Sequence, residues 1–277
     1  MGQPLSTTVP DLPGLIAKGK MPNGEMVVVE DVASAWCHVV HSTLSEYSQH
    51  EVSQEKPFTL ALSGGPTARK CYETLADTLS SPSSPHSPLS PALPSSSAAK
   101  SPFSHPFSLF NDISWNNVHI LVGDERCVPI DHPDSNSGMI KEVLINNIHD
   151  IGAFYPMDCK AGPSTYSDIV SRYIPLDLVH LGMGIDGHSA SLFPGSTLLD
   201  EQSSLVAYSR DPQQMNAHDR MTLLLPAINS SRQVIFTVSG SEKLEAMAKA
   251  MQGIDMPALH INAGNVLWIV DEAANPR

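Results

Sequence analysis

The sequence is short of several things, and each shortage excludes something. Across 277 residues no apolar run approaches the ~18 to 20 residues that a membrane-spanning helix needs. The first stretch, "MGQPLSTTVPDLPG", has neither a basic start nor an apolar core, so no secretory signal is expected. Gly2 with Ser6 makes only a weak myristoylation pattern. The four cysteines, Cys37, Cys71, Cys127 and Cys159, are scattered without C-x-x-C spacing, which predicts reduced thiols rather than a disulfide framework or a zinc knuckle. No H-E-x-x-H motif or acidic cluster signals a metal, and no G-x-S-x-G elbow marks Ser189 or Ser191 as a nucleophile. Basic residues are few: 16 Lys and Arg stand against 29 Asp and Glu, a formal charge of -13. That balance argues against nucleic acid and anionic lipid as partners. It leaves room for an anionic metabolite gathered by a few local cations. The expectation is a cytoplasmic protein, monomeric or weakly oligomeric, with no metal or other cofactor.

What is present is an alternation. "EMVVVED", "FTLALSGG", "VHILVGDE", "LDLVHLGMG", "QVIFTVSG" and "VLWIV" read as strands. Between them "ASAWCHVVHSTLSEYSQHE", "TARKCYETLADTLS", "SNSGMIKEVLINNI" and "SEKLEAMAKAMQG" have helical spacing, the third with Ser135 or Asn136 as its cap. Short apolar runs alternating with helices predict an α/β fold, a mainly parallel sheet with helices on both faces. Ligands of such sheets gather at the carboxyl ends of the strands. Residues 81–106 are Ser/Pro-rich and cannot bury enough apolar surface to offset the entropy of ordering. They read as a mobile insertion within one domain, with a domain linker as the rival.

Four strand ends carry chemistry. After "FTLAL", Ser63, Gly64 and Gly65 open a helix, either as a phosphate cradle or as a plain tight turn. Pro66 lacks an N–H, and Thr67 can still donate a hydroxyl. After "VHILVG", Asp124 and Glu125 can orient Arg126, whose fixed donors suit an oxyanion; a surface ion pair is the plainer reading. "GMGIDGHSASLFPG" fits G-x-G-x-x-G, with Asp211 loosely placed as the acid of a dinucleotide site. Only six residues follow before Pro194-Gly195, and His188 occupies the pyrophosphate position, so His188 reads better as a base beside Asp186. Arg220 begins the last motif, "DRMTLLLPAIN", and reads as a cation in the same cleft. Lys243 reads as a solvated helix residue, and His132 and His180 as structural.

"ALSGGPT", "GDERCVPIDHPDSN", "LGMGIDGHSASLFPG" and "DRMTLLLPAIN" occur in that order. Together they resemble the 6-phosphogluconolactonase family of the pentose phosphate pathway, over most of residues 25–272 apart from the Ser/Pro segment. The second and third motifs carry the specificity; the SGG turn alone does not. The resemblance implies a Rossmann-like fold akin to sugar-phosphate isomerases and glucosamine-6-phosphate deaminase, as one domain over residues 1–277. It implies metal-independent hydrolysis of 6-phosphoglucono-δ-lactone to 6-phosphogluconate, with His188 activating water and Asp186 and Arg126 beside it. Arg126, Arg220 and the Ser63–Gly65 turn are then expected around the phosphate or ring oxygens, with Asn136 close by. Thr67, Asp124, Gly184 and Gly187 complete the expected substrate contacts. Two departures stand out. The family usually reads S-G-G-[ST]-T-P, which Pro66 and Ala68 alter here. It also often carries a Lys shortly before the arginine matching Arg220, where this chain offers Arg210 instead. Two rivals remain. A deaminase-like isomerase usually carries "NGH" and "DEY" where this chain has "DGH" and "DER". A non-catalytic sugar-phosphate sensor tends to carry a helix-turn-helix and a basic patch.

Overall fold

The computed structural model describes residues 12–50, 56–80, 110 and 113–277. The Ser/Pro-rich stretch at 81–106 lies outside the described residues, as do the possible myristoylation site at Gly2 and the first residues read for a signal.

The chain begins with a hairpin, β1 (Leu15–Met21) and β2 (Gly24–Val29), followed by α1 (Val32–His50), β3 (Phe58–Leu62) and α2 (Pro66–Ser80). Then come β4 (Val118–Val122), β5 (Asp124–Arg126), α3 (Asn136–Val143), β6 (Ala153–Tyr155), α4 (Gly162–Ser171) and β7 (Leu178–Leu181). The last part holds β8 (Val206–Ser209), β9 (Arg220–Leu223), α5 (Leu225–Asn229), β10 (Gln233–Val238), α6 (Leu244–Met251) and β11 (Val266–Asp271). Eight strands form one sheet in the order β1-β2-β11-β10-β7-β3-β4-β6, parallel except for the β1–β2 hairpin. The expected parallel α/β architecture is therefore present. Every residue of β3, β7 and β10 is buried, which is why these strands read as unbroken apolar runs.

The path of the chain places the site. From β3 it moves outward through β4 to β6, returns to β7 beside β3, and then moves the other way through β10 and β11. The crevice at the carboxyl ends of β3 and β7 is thus the point where strand order reverses, the usual ligand position in such sheets. At Gly123 the chain leaves the main sheet. Gly123 N–H donates to Leu62 O, and the next three residues start a second, antiparallel sheet in the order β5-β9-β8. This small sheet overhangs the crevice.

Sequence periodicity does not reveal β1, β6, β8 or α4. β6 is three residues long, and α4, "GPSTYSDIVS", has poor helix formers. Burial of Tyr166 and Val170 holds α4 in place, and the Tyr166 hydroxyl reaches both Val122 and Tyr155 backbones. The expectation of four reduced cysteines is corrected. Cys127 and Cys159 form a disulfide across 32 residues, while Cys37 and Cys71 are free and buried. Pairing of β4 with β6 brings the two loops together, leaving the Cα atoms 5.4 Å apart, a proximity that spacing does not encode. No described helix is long and apolar enough to cross a membrane.

Candidate active site

A cleft of about 290 Å³ opens at the carboxyl ends of β3, β7 and β10 under the small sheet. Its first wall is the turn after β3. Ser63 is buried, and its Oγ has no hydrogen-bond partner. Gly65 has φ +99°, a conformation that favours glycine, and Pro66 starts α2 where a missing N–H loses nothing. Thr67 also lines the cleft. Gly64 is demanded by a neighbour: a Cβ there would lie 1.8 Å from Asn136 Oδ1. Asn136 cannot easily retreat, because its Nδ2 donates to Asp124 O at 2.8 Å and its backbone N–H donates to Glu125 Oε1 at 2.7 Å. Gly64→Ala is therefore expected to displace Asn136, lowering Tm by several degrees and raising KM about tenfold, as overpacking of a tight site does. Thermal melts alongside steady-state kinetics check this.

Asp124, Glu125 and Arg126 divide their labour differently from the sequence reading. Glu125 does not hold the Arg126 side chain. Its carboxylate accepts from Asn136 N, Ser137 N and Ser135 Oγ, capping the N-terminus of α3, and from Arg126 N. Ser135, at the cap position, accepts from Gly138 N. Asp124 Oδ2 accepts from Ser191 Oγ at 2.6 Å, so that serine is a structural donor rather than a nucleophile. Arg126 donates from Nη1 to Asp134 O at 2.7 Å, and its Nε is buried without a partner.

Arg126 and Arg220 are direct cross-strand neighbours on β5 and β9. Like charges placed opposite on a sheet are destabilising. Arg220 is only 8% exposed, and its Nε donates to Ala217 O at 3.3 Å. Burial, then the charge of Arg126, holds its pKa below the usual arginine value despite the acids nearby. Neither guanidinium forms an ion pair with a carboxylate among the described residues. Two such charges facing a cleft make a site for an anion that the protein itself does not supply.

The third wall is the turn after β7. No helix follows the glycines: residues 182–188 fold into a tight turn, with Gly187 N donating to Gly184 O and Gly184 N to His188 O. The dinucleotide reading fails on this geometry. Asp211, its candidate acid, is turned inward and accepts from Gln213, Met215 and Asn216 of its own loop. His188 lines the cleft, with Nδ1 2.6 Å from Asp186 Oδ1 and its ring 5.0 Å from that of Phe193. Burial pushes the Asp186 carboxyl upward, and the hydrogen bonds from His188 outweigh it, so the group stays below its ordinary range. Asp186 does not line the cleft itself; it stands behind His188. Gly184 has no room for a side chain, since a Cβ would come 2.2 Å from His188 Nδ1. Gly187 does not line the cleft and packs toward Met256 at φ +84°. Because Gly184, Gly187 and His188 N–H groups are used within the turn, they are not free donors for a substrate oxygen. Among the described residues no cluster of three His, Cys, Asp or Glu side chains could hold a metal ion.

Comparison with known proteins gives this geometry a context. Residues 92–268 match the family described as glucosamine-6-phosphate isomerases/6-phosphogluconolactonase. The chain belongs to this family. A 6-phosphogluconolactonase of Synechocystis sp. is 30% identical over 78% of this chain and 82% of its own. Among solved structures, the 6-phosphogluconolactonase of Trypanosoma brucei superposes with TM-score 0.68 at 23% identity, covering 92% of this chain and 98% of the other. A monomeric glucosamine-6-phosphate deaminase superposes with TM-score 0.65 at 17% identity, covering 90% and 98%. Both structural likenesses speak to the fold, so within the family the choice of reaction falls to the site.

Within this family member, the sequence reading missed part of the site. Ser239, Glu242 and Lys243 also line the cleft. They sit on the turn after β10, where Gly240 at φ +100° reverses the chain. Lys243 is a cleft residue rather than a solvated one, and it has no ion-pair partner among the described residues. The available signal was "VSGSEK" itself, a fully buried strand ending in a glycine turn. Arg210 does not take the role offered to it. It pairs with Asp219 at 3.0 Å, is largely exposed and does not line the cleft.

Proposed function

We propose that this chain hydrolyses 6-phosphoglucono-δ-lactone to 6-phosphogluconate in the oxidative pentose phosphate pathway. The observation that carries the reading is the Arg126–Arg220 pair, without carboxylate partners among the described residues, in the same cleft as His188, whose Nδ1 is held from behind by Asp186. One end of such a cleft suits an anion and the other a base.

Asp186 accepts a hydrogen bond from His188 Nδ1–H, which keeps the proton on Nδ1 and leaves Nε2 bare. Nε2 removes a proton from water as the water oxygen attacks C1 of the lactone. Charge grows on the carbonyl oxygen, where Arg126 stabilises it, since the Gly184, Gly187 and His188 amides are engaged within their own turn. The bond from C1 to the ring oxygen then breaks, and the ring oxygen takes the proton back from the imidazolium. The new carboxylic acid ionises and releases a proton. Arg220, Lys243 and the Ser63–Gly65 turn with Thr67 hold the phosphate, while Asn136 and Asp124 shape the wall between. Phosphate binding remote from C1 fixes the ester against the water. An ester this reactive needs no covalent nucleophile, which agrees with the structural bonding of Ser189 to Gly182 O and Ser191 to Asp124.

A deaminase would carry Asn at position 186 and Tyr at 126, and neither is present. The deciding assay sets acid release from freshly made lactone beside ammonia release from glucosamine 6-phosphate. Lactone turnover well above the buffer blank, with no ammonia, is expected; turnover equal to the blank overturns the proposal. We read the protein as one domain, cytoplasmic, and monomeric or weakly oligomeric.

A further inference from the structure

From the cleft lining at Thr237 a line of side chains that the mechanism above does not use runs beneath the cleft. Tyr72 of α2 and His180 of β7 are fully buried, and Thr237 of β10 nearly so. The Tyr72 hydroxyl donates to Ser63 O at 2.8 Å. It has only one proton, so its 3.0 Å contact with His180 Nδ1 must run the other way, from Nδ1–H to the tyrosine oxygen. His180 Nε2 is then bare and accepts from Thr237 Oγ1 at 2.8 Å. The three bonds therefore share one direction, from Thr237 to the carbonyl of Ser63. Trp36 covers the imidazole, with ring centres 4.8 Å apart. Burial drives the pKa of His180 down to about 3, so the line carries no charge at working pH.

The backbone explains why such a line is needed. The β7–β10 ladder continues to Leu181, but the β7–β3 ladder ends at Ala61 and Val179. Beyond that point the two strands part, and this parting opens the cleft. Ser63 sits on the parted side, two residues past the last pair, with its Oγ buried and unpartnered. Nothing in the β7–β3 ladder holds its carbonyl; Tyr72 does.

We propose that Tyr72 and His180 are positioning residues that fix the Ser63 turn across the gap and thereby set affinity for the phosphate end of the substrate. The proposal rests on the reading that this turn holds the phosphate. Its test compares two substrates, 6-phosphogluconolactone and the phosphate-free gluconolactone, in Tyr72→Phe and His180→Leu proteins. Tyr72→Phe removes one oxygen and keeps the ring, so it serves even if His180→Leu fails to fold, and thermal melts establish which variants are folded.

For the phosphorylated lactone, KM is expected to rise about 3- to 10-fold in Tyr72→Phe, the range for one lost hydrogen bond, and at least as much in His180→Leu. The kcat for that substrate, the acid limb of its pH profile, and kcat/KM for the phosphate-free lactone should all stay within about twofold. Equal losses on both lactones would make the line general packing and overturn the proposal, as would an unchanged KM. Wild-type protein with no preference for the phosphorylated lactone would instead overturn the phosphate reading of the turn, and the positioning role with it.

Discussion

Replacement of His188 by alanine is expected to lower kcat for the lactone by about 10²- to 10⁴-fold, the usual contribution of a positioned general base, and to leave KM within a few-fold. The split follows from where the ring stands. It faces the cleft at the end of β7, while the cations proposed to bind the substrate are on β5, β9 and the turn after β10. Removing the ring takes away the proton acceptor and leaves the anion grip intact. A variant with full kcat would remove His188 from the chemistry.

The pH profile gives a second handle on the same pair. The folded-state pKa of Asp186 lies below its ordinary value, so its bond to His188 contributes stability above the ordinary carboxylate range. That contribution is lost only as pH falls through the lowered value. Asp186 is therefore ionised near neutral pH, and its protonation is not what limits activity there. A rate flat from about pH 5 to 8 would contradict a histidine general base. Asp186→Asn should keep the geometry nearly intact while weakening the preference for the Nδ1–H tautomer, so its loss is expected in kcat rather than in KM.

Arg220→Met is expected to raise KM by about 30-fold or more and, in the ligand-free protein, to raise Tm by a few degrees. The first effect is the loss of a charge-assisted contact to an anion, typically ~2 to 5 kcal/mol when the partner is buried. The second comes from the free protein. Arg220 is nearly buried, opposite Arg126, and its charged form is disfavoured by burial and by that neighbour. An apolar chain of similar length removes both penalties, and about 1 kcal/mol corresponds to a shift of ~2 to 4 °C in a domain of this size. Function and stability should thus move in opposite directions at one residue, as expected where a site is kept strained for binding. Saturating 6-phosphogluconate should reverse the order of the Tm values, since it stabilises the wild type more. A variant with unchanged KM would put the phosphate elsewhere, and one with lowered Tm would show that the pair is not repulsive in the free protein.

The Ser63 turn and His188 were legible because each follows a fully buried parallel strand, which reads as an apolar run; Arg126 and Arg220 stand on the antiparallel β5 and β9, where they were legible from the neighbouring apolar runs "VHILV" and "MTLLL". Asp186 was legible through its spacing, since a residue two positions from a histidine on a glycine turn can reach its ring. Lys243 was visible only as a basic residue at a helix start, and nothing local distinguishes a lysine that faces a cleft from one that faces water. The role of Glu125 was misread for a similar reason. Its carboxylate reaches helix amides eleven and twelve residues on, rather than the guanidinium next to it.

By itself, the order of apolar runs, glycine turns and helices determined a parallel α/β sheet with chemistry at its strand ends, because period and burial are local properties of the chain. Only the tertiary structure decided that Arg126 faces Arg220, that Cys127 meets Cys159, and that Tyr72, His180 and Thr237 line up beneath Ser63. The pairings Arg126–Arg220, Cys127–Cys159, Tyr72–His180 and His180–Thr237 join residues 32 to 108 positions apart. Their distances are set by strand order, by the departure of the chain from the main sheet at Gly123, and by the parting of β3 from β7, none of which leaves a periodic trace.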